Sequence, residues 1–144
     1  MPLDPNRTDE CRQWLAKAVT DLGAARKLAH GDDDYLAEAL FHCQQAAEKA
    51  IKALLTWHEV RFRKTHSLEE LAGQARGLDG APTGSIEAAV ELTRYVALYR
   101  YPPMESPPTR EEFDTACLLA SDCIHSIIDR LPAETHPIQG EPTR

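Results

Sequence analysis

The chain has 144 residues, of which 42% are hydrophobic and 27% charged, and its formal net charge is -7. This length suits a single domain that buries one core without disulfides or a structural metal, and the composition is ordinary for a globular protein. The acidic balance argues against broad, non-specific nucleic-acid binding, which usually comes with a basic domain. A local basic patch that holds a small anionic ligand stays compatible with it.

Apolar residues recur every three or four positions through two long segments, which predicts two long helices. The first runs from Thr8 to about His30, and Gly31 stops it. The second runs over residues 34–59, and the acidic run DDD at 32–34 offers N-caps for it. The predicted inward stripe of this second helix consists of Leu36, Ala39, Leu40, Cys43, Ala46, Ala47, Ala50, Ile51, Leu54 and Leu55.

A basic turn follows, within the stretch RFRKTHSLEEL at residues 61–71. Three cations and one histidine fall within six residues of an otherwise acidic chain. Ser67 and Glu70 then have the spacing of a capping box, in which the serine caps a helix and the glutamate reaches back. We therefore predict a short third helix that begins after this turn and ends near Gly77.

Two more helices complete the predicted fold. Ser85 can cap a fourth helix, which ends before the YPP run at 101–103 because proline cannot continue a helix. Thr109 and Glu112 form a second capping box, for a fifth helix that runs to about Leu131. Neither a strand pattern nor a glycine-rich phosphate loop is visible, so the sequence predicts an all-α, up-and-down bundle of four to five helices.

The bundle is expected to span residues 1–131, and residues 132–144, with their prolines and few apolar side chains, are expected to form a disordered tail. No apolar leader and no run of eighteen apolar residues is present, which predicts a cytoplasmic protein without a membrane segment. No residue pair has a diagnostic zinc spacing, so no metal and no cofactor is expected. Buried free thiols are predicted at Cys11, Cys43, Cys117 and Cys123.

His66 and Arg61 combine chemistry that suits a phosphate. Histidine titrates near neutrality and can move a proton, while arginine supplies a fixed charge and a fork that matches phosphate oxygens. Metal-free RNA cleavage needs such groups as base, acid and cation. An anion bound just before a helix N-terminus also gains from the helix dipole. The alternative is that His66 is an ordinary turn residue that precedes the Ser67 cap.

Cations and aromatic rings alternate at the end of the fourth helix, in Tyr99, Arg100 and Tyr101. Such a trio can stack a base and hold a phosphate. We predict that the bundle brings it near the basic turn, where Arg63 and Lys64 complete the candidate phosphate-binding set. The alternative is that Tyr99 anchors the bundle end beside a surface arginine.

Polar residues also interrupt the second helix at Gln44, Gln45, Glu48 and Lys49. Gln45 and Lys49 share one helix face, as do Gln44 and Glu48. A solvated face is the favoured interpretation of these residues. A polar groove at a dimer or partner interface is the alternative.

Three stretches carry a resemblance to a known family: AEALFHCQQAAEKAIKALL at 37–55, KTHSLEEL at 64–71 and LYRYPP at 98–103. Over about residues 8–131 the chain resembles the HEPN domain. The resemblance implies a helical bundle that is commonly a homodimer, and many members are encoded beside a small nucleotidyltransferase as a toxin–antitoxin-like pair. Several HEPN branches are metal-independent ribonucleases with the signature Arg, four to six residues, His, and others are proposed to bind nucleotides.

Arg61 and His66 satisfy an Arg-x4-His spacing, but they precede the third helix, whereas the ribonuclease branches carry the signature on a late helix. We therefore favour a protein that binds a nucleotide or an RNA phosphate and partners a nucleotidyltransferase. A metal-independent endoribonuclease that uses His66 with Arg61 or Arg100 is one alternative, and a structural dimerisation module is another. Whether the protein is an enzyme stays open at this level.

Overall fold

A computed structural model describes residues 4–137, which form six α-helices and one short 3-10 helix. The α-helices are α1 (Pro5–Leu28), α2 (Leu36–Trp57), α3 (Leu68–Ala75), α4 (Thr83–Ala89), α5 (Leu92–Tyr99) and α6 (Arg110–Ile128), and the 3-10 helix is η1 (Ala133–Thr135). No strand occurs among the described residues. The prediction of an all-α helical bundle is confirmed.

Helix α2 lies at the centre of the bundle and contacts each of the other five α-helices. All ten residues of its predicted inward stripe are buried. Alanine is frequent in this stripe, and small side chains allow neighbouring helix axes to approach closely. Because neighbours surround α2 on several sides, it also buries Ala53 and three polar residues that a one-sided stripe leaves out. This central position sets the environment of the candidate site.

Helix α6 begins as predicted, with a complete capping box. The Thr109 Oγ1 atom accepts a hydrogen bond from the Glu112 amide at 3.1 Å, and the Glu112 carboxylate accepts one from the Thr109 amide at 2.9 Å. These two contacts satisfy amides that have no partner inside the helix.

Helix α3 has only half of its predicted capping box. The Ser67 Oγ atom accepts a hydrogen bond from the Glu70 amide at 3.1 Å. The Glu70 carboxylate does not reach back, because the Arg63 guanidinium binds it at 2.9 Å, and Thr65 Oγ1 accepts from the Ser67 amide instead. The charged partner displaces the weaker local contact.

Two other predicted N-caps are wrong. The acidic run at 32–34 does not cap α2, whose N-cap Tyr35 makes no side-chain capping bond. Asp33 instead pairs with Arg110 at 2.6 Å, which ties the α1–α2 turn to the start of α6. Ser85 lies inside α4, where its hydroxyl donates to the Pro82 carbonyl at 3.1 Å and lies 2.5 Å from the Ser126 hydroxyl of α6. Local capping propensity yields to tertiary partners at both places.

The predicted fourth helix is divided into α4 and α5. At Val90 and Glu91 the backbone hydrogen bonds become three-residue turns, such as Val90 N to Glu87 O at 3.2 Å and Arg94 N to Glu91 O at 3.2 Å. The break changes which side chains α5 turns towards the core. On α5, Leu92, Tyr95 and Tyr99 are buried, whereas Ala97 is exposed.

Residues 132–137 differ from the expectation of a disordered tail. The 3-10 helix packs on α1, Thr135 is fully buried, and the Arg12 guanidinium donates to the Glu134 carbonyl. Each of these contacts is made with a distant part of the chain. The proline content of residues 132–137 therefore could not show that they are ordered. The remaining part of the predicted tail, residues 138–144, lies outside the described residues, and the boundary at 131 stays a prediction.

The four cysteines are free thiols, and three of them are buried. The exception is Cys117 on α6, which is half-buried and shares a hydrogen bond with Cys43 on α2. This hydrogen bond and the positive charge of Arg26 lower the pKa of the Cys117 thiol to about 6, and the same contact raises the pKa of Cys43. Burial raises the pKa of Cys11 to about 11 and that of Cys123 to about 12.

Iodoacetamide is therefore expected to alkylate Cys117 well before the other three thiols. The thiolate is the nucleophile, so the rate at Cys117 falls as the pH drops below about 6 and is near its plateau at pH 7.5. Peptide mass spectrometry after short labelling checks this order. Cys117→Ser removes the fast site. In Cys43→Ala, the pH at which Cys117 reacts at half its maximal rate is expected to be higher. A fast site that survives in Cys117→Ser contradicts the prediction.

Candidate functional site

Helices α2 and α5 and the turn before α3 enclose an open groove with a volume of about 470 Å³. The lining residues are Phe41, Gln44, Gln45, His66, Thr93, Val96, Ala97, Arg100 and Tyr101. Two separate parts of the sequence meet in this groove. One is the basic turn, which contributes His66, and the other is the end of α5 with Arg100 and Tyr101.

The His66 ring is held by a buried carboxylate. Its side chain is 81% exposed, yet its Nδ1 atom lies 3.2 and 3.3 Å from the two carboxylate oxygens of Glu48, a residue that is 1% exposed. An ionised carboxylate can only accept hydrogen bonds, so Nδ1 carries the hydrogen in this contact. The other ring nitrogen, Nε2, is thereby left to exchange a proton or a hydrogen bond with a ligand.

Glu48 belongs to a buried polar network on one face of α2. Its carboxylate pairs with Lys52 at 3.1 Å, and both side chains are more than nine-tenths buried. One turn earlier, Gln44 donates a hydrogen bond to the His66 carbonyl at 3.1 Å. Gln45 donates to both Gln44 and Glu48. The network thus holds the backbone and the ring of His66 from the same helix face.

The favoured interpretation of these residues as a solvated face is wrong for Gln44 and Glu48, which are both buried. The spacing of four residues between Gln44, Glu48 and Lys52 was a visible signal, since it places all three on one helix face. What the spacing cannot show is that the turn ending at His66 folds back over that face.

Lys49 belongs to a different cluster, on the contact between α1 and α2. Its ammonium group lies 2.5 Å from the Asp21 carboxylate, which also accepts from His42 Nδ1 at 2.9 Å. Neither Lys49 nor His42 lines the groove. This cluster links the two long helices and supplies no group to the site.

Arg100 is the cation of the groove. Its guanidinium carbon lies 3.7 Å from the centre of the Phe41 ring, and it makes no ion pair among residues 4–137. Stacking on a ring uses the face of the guanidinium and leaves the N–H donors at its edge free for an anion. The neighbouring Tyr101 ring is 72% exposed. A base can stack on it.

Two predicted phosphate-binding residues, Tyr99 and Arg63, line neither the groove nor the second cavity described below. Tyr99 is buried and donates its hydroxyl to Glu112 at 2.8 Å, a contact that raises the pKa of Tyr99. It anchors the end of the bundle, which is the alternative that the sequence left open. Arg63 binds the Glu70 carboxylate through a pair of hydrogen bonds and does not line the groove.

Arg61 and Lys64 line a second cavity, of about 680 Å³. It lies between the start of α1 and the end of α2, and its walls include Trp14 and Phe62. The two ends of the Arg-x4-His spacing therefore face different cavities. Arg61 does not line the groove with His66, and the cation that shares the groove with His66 is Arg100.

Two features that are absent from the described residues bear on the class of site. No group of three or more histidine, cysteine, aspartate or glutamate residues stands where it could hold a metal ion. None of the helices between residues 4 and 137 is long and apolar enough to cross a bilayer. The groove thus offers a proton-exchanging imidazole, an unpaired guanidinium and an exposed aromatic ring.

The family model of the HEPN domain matches residues 11–130. The chain belongs to the HEPN family. The match includes α2, the basic turn and α5, so all the walls of the groove lie within the HEPN domain. No curated protein and no solved structure shows significant similarity to the chain.

Proposed function

We propose that this HEPN protein binds the phosphate of a nucleotide or of RNA in the groove between α2 and α5. The observation that carries the proposal is that His66 and Arg100, from distant parts of the chain, line the same groove. Both have free hydrogen-bonding edges, and neither is neutralised by an exposed carboxylate. The arrangement supports an anionic ligand even though the whole chain is acidic.

Each part of such a ligand has a matching group. Arg100 supplies fixed charge and paired donors for phosphate oxygens, and His66 Nε2 adds a donor when the ring is protonated. The exposed Tyr101 ring offers a stacking surface for a base. The groove, at about 470 Å³, lies in the size range of pockets for small organic ligands.

We further propose that the protein forms a homodimer and partners a small nucleotidyltransferase in a toxin–antitoxin-like pair. This rests on HEPN membership and on an exposed apolar surface beside the groove. Leu98 and Met104 are both about half exposed, and in the chain they lie three residues before and three residues after Tyr101, which lines the groove. A partner that covers these residues also reaches the ligand site.

A second candidate function, metal-independent RNA cleavage, is favoured by the Glu48–His66 contact. A buried carboxylate that fixes the Nδ1 hydrogen leaves Nε2 as a general base for the 2′-hydroxyl of a ribose. Arg100 then stabilises the charge that develops on the phosphate, and the protonated imidazole returns the proton to the 5′-oxygen that leaves as the 2′-oxygen bonds to phosphorus. Of the two arginines that the sequence left open for this role, Arg100 lines the groove with His66, whereas Arg61 lines the second cavity.

Calorimetric titration of the purified protein with ATP, GTP and short single-stranded RNA is expected to show saturable binding. His66→Ala is expected to weaken it while circular dichroism shows an intact helical fold. The same RNA, incubated with the protein in EDTA, separates the two candidates, since only the ribonuclease shortens it and only with His66 present. Absence of binding by all three ligands contradicts the proposed function.

A further inference from the structure

The basic turn at 61–66 divides two cavities that lie side by side along α2. Gln44 lines the groove with His66, and Lys52 lines the second cavity, which we call the cleft. The two positions are eight residues apart on one helix face, a distance of about 12 Å at 1.5 Å per residue. A flexible chain that occupies the groove can therefore cross the turn and enter the cleft.

The cleft has two cations without partners. Arg61 and Lys64 make no ion pair among the described residues, whereas Arg63 in the same turn is bound to Glu70. Arg7, also in the cleft, is already engaged, because it stacks on an indole ring and pairs with a glutamate. The charge available to a ligand is therefore concentrated on the side that faces the turn.

The cleft also has an aromatic wall. The rings of Trp14 and Phe62 meet edge to face with centroids 6.1 Å apart, and both residues are only partly buried. Buried Lys52 lies over both rings, at 5.3 and 5.8 Å from their centres, and fixes this side of the wall. Aromatic walls beside a cationic rim are the arrangement with which proteins bind single-stranded nucleic acid without strict sequence preference.

Carboxylates in the same cleft narrow the choice of ligand. Asp4 and Glu10 line it and disfavour a free polyphosphate, which carries several charges in a small volume. They can accept hydrogen bonds from base amino groups and from ribose hydroxyls. A nucleoside unit within a chain brings one phosphate charge together with such donors, and it matches this mixture.

We propose that the cleft is a second nucleotide subsite, and that the ligand is a single-stranded oligonucleotide that crosses the 61–66 turn. This inference rests on the proposed function of the groove. One nucleotide occupies the groove at Arg100. Another places its base against Trp14 and Phe62, with its phosphate at Arg61 and Lys64. The displaced arginine of the Arg-x4-His spacing thereby acquires a role of its own.

The test is the dependence of affinity on ligand length. Calorimetry with AMP and with oligoadenylates of two, four and eight nucleotides is expected to show at least a tenfold drop in Kd from AMP to one of the longer ligands. In Arg61→Gln/Lys64→Gln this gain is expected to disappear, while the Kd for AMP changes by less than twofold. Gel analysis of the oligonucleotides after each titration verifies that they are intact.

Arg63→Gln is the control, since it also removes positive charge from this turn, one unit against two, but from a side chain that is bound to Glu70 outside the cleft. It is expected to keep the length-dependent gain. Loss of the gain in this control overturns the subsite, because general charge attraction then explains the result. If AMP binds and none of the oligoadenylates binds more tightly than AMP, the inference fails and the proposed function stands. If no ligand binds, both fail.

Discussion

Glu48→Leu is expected to lower the free energy of unfolding by about 3 to 5 kcal/mol, because it leaves the Lys52 ammonium group buried without a counter-ion. Lys52 is only 6% exposed, and the remaining contacts with the rings of Trp14 and Phe62 compensate part of this loss but do not replace a carboxylate. Urea denaturation followed by circular dichroism measures the change. The urea concentration at half unfolding is expected to fall, while the slope of the free energy of unfolding against urea concentration stays constant.

The double variant Glu48→Leu/Lys52→Met is the control for this prediction. Replacing both members of a buried ion pair by apolar residues of similar size is often neutral or stabilising. The double variant is therefore expected to recover most of the loss. If its free energy of unfolding instead falls by the sum of the losses for Glu48→Leu alone and Lys52→Met alone, the two residues do not act as one energetic unit.

The same double variant separates folding from positioning. With the carboxylate absent, nothing on α2 accepts the Nδ1 hydrogen of His66, so both tautomers of the neutral ring become populated. The ¹⁵N chemical shifts of His66 report this change directly. A folded, stable protein with a mixed tautomer signal indicates that Glu48 orients His66. Unchanged ¹⁵N chemical shifts of His66 would show that Glu48 stabilises the core and does not orient the His66 ring.

Arg100→Ala is expected to weaken nucleotide binding by about tenfold to a hundredfold. Hydrogen bonds to charged groups contribute about 1.5 to 3 kcal/mol, and each 1.4 kcal/mol corresponds to a factor of ten. The Kd of Arg100→Lys is expected to lie between those of the unmodified protein and Arg100→Ala. Lysine keeps the charge but loses both the planar fork and the stacking on Phe41. Calorimetry with AMP at fixed ionic strength measures all three proteins.

Arg94→Ala provides the comparison for Arg100. Arg94 is also an exposed arginine on α5 and also lies over a tyrosine ring, that of Tyr95, but it does not line the groove. Its removal is expected to change the Kd by less than twofold. Equal losses in Arg94→Ala and Arg100→Ala would show that net charge, and not the groove, governs binding.

Much of the fold is local information, and the sequence predicted it. The stripe of α2 repeats with the helical period, and all ten of its members are buried as expected. The cap at Thr109 involves residues three positions apart, so it needs no distant partner. HEPN membership could also be predicted from the sequence, because each of the motifs that indicate it is a continuous stretch of residues.

The errors occurred where a distant partner competes with a local one. Arg63 draws the Glu70 side chain away from the capping box, and Arg110 draws Asp33 away from the start of α2. Glu48, which the helical pattern left on a solvated face, is covered by a turn that begins after the end of its own helix. Propensities that act over four residues cannot register such contacts.

The sequence by itself therefore determined helices α1, α2, α3 and α6, the apolar face of α2, the α6 cap and the family, since each depends on residues close together in the chain. Only the tertiary structure decided which cation faces His66. That choice depends on how the basic turn folds across α2 and on where the break after α4 directs α5, which places Arg100 in the groove and Arg61 in the cleft. Spacing along a chain reports neighbours within one helix, whereas this site is assembled from three segments that only packing brings together.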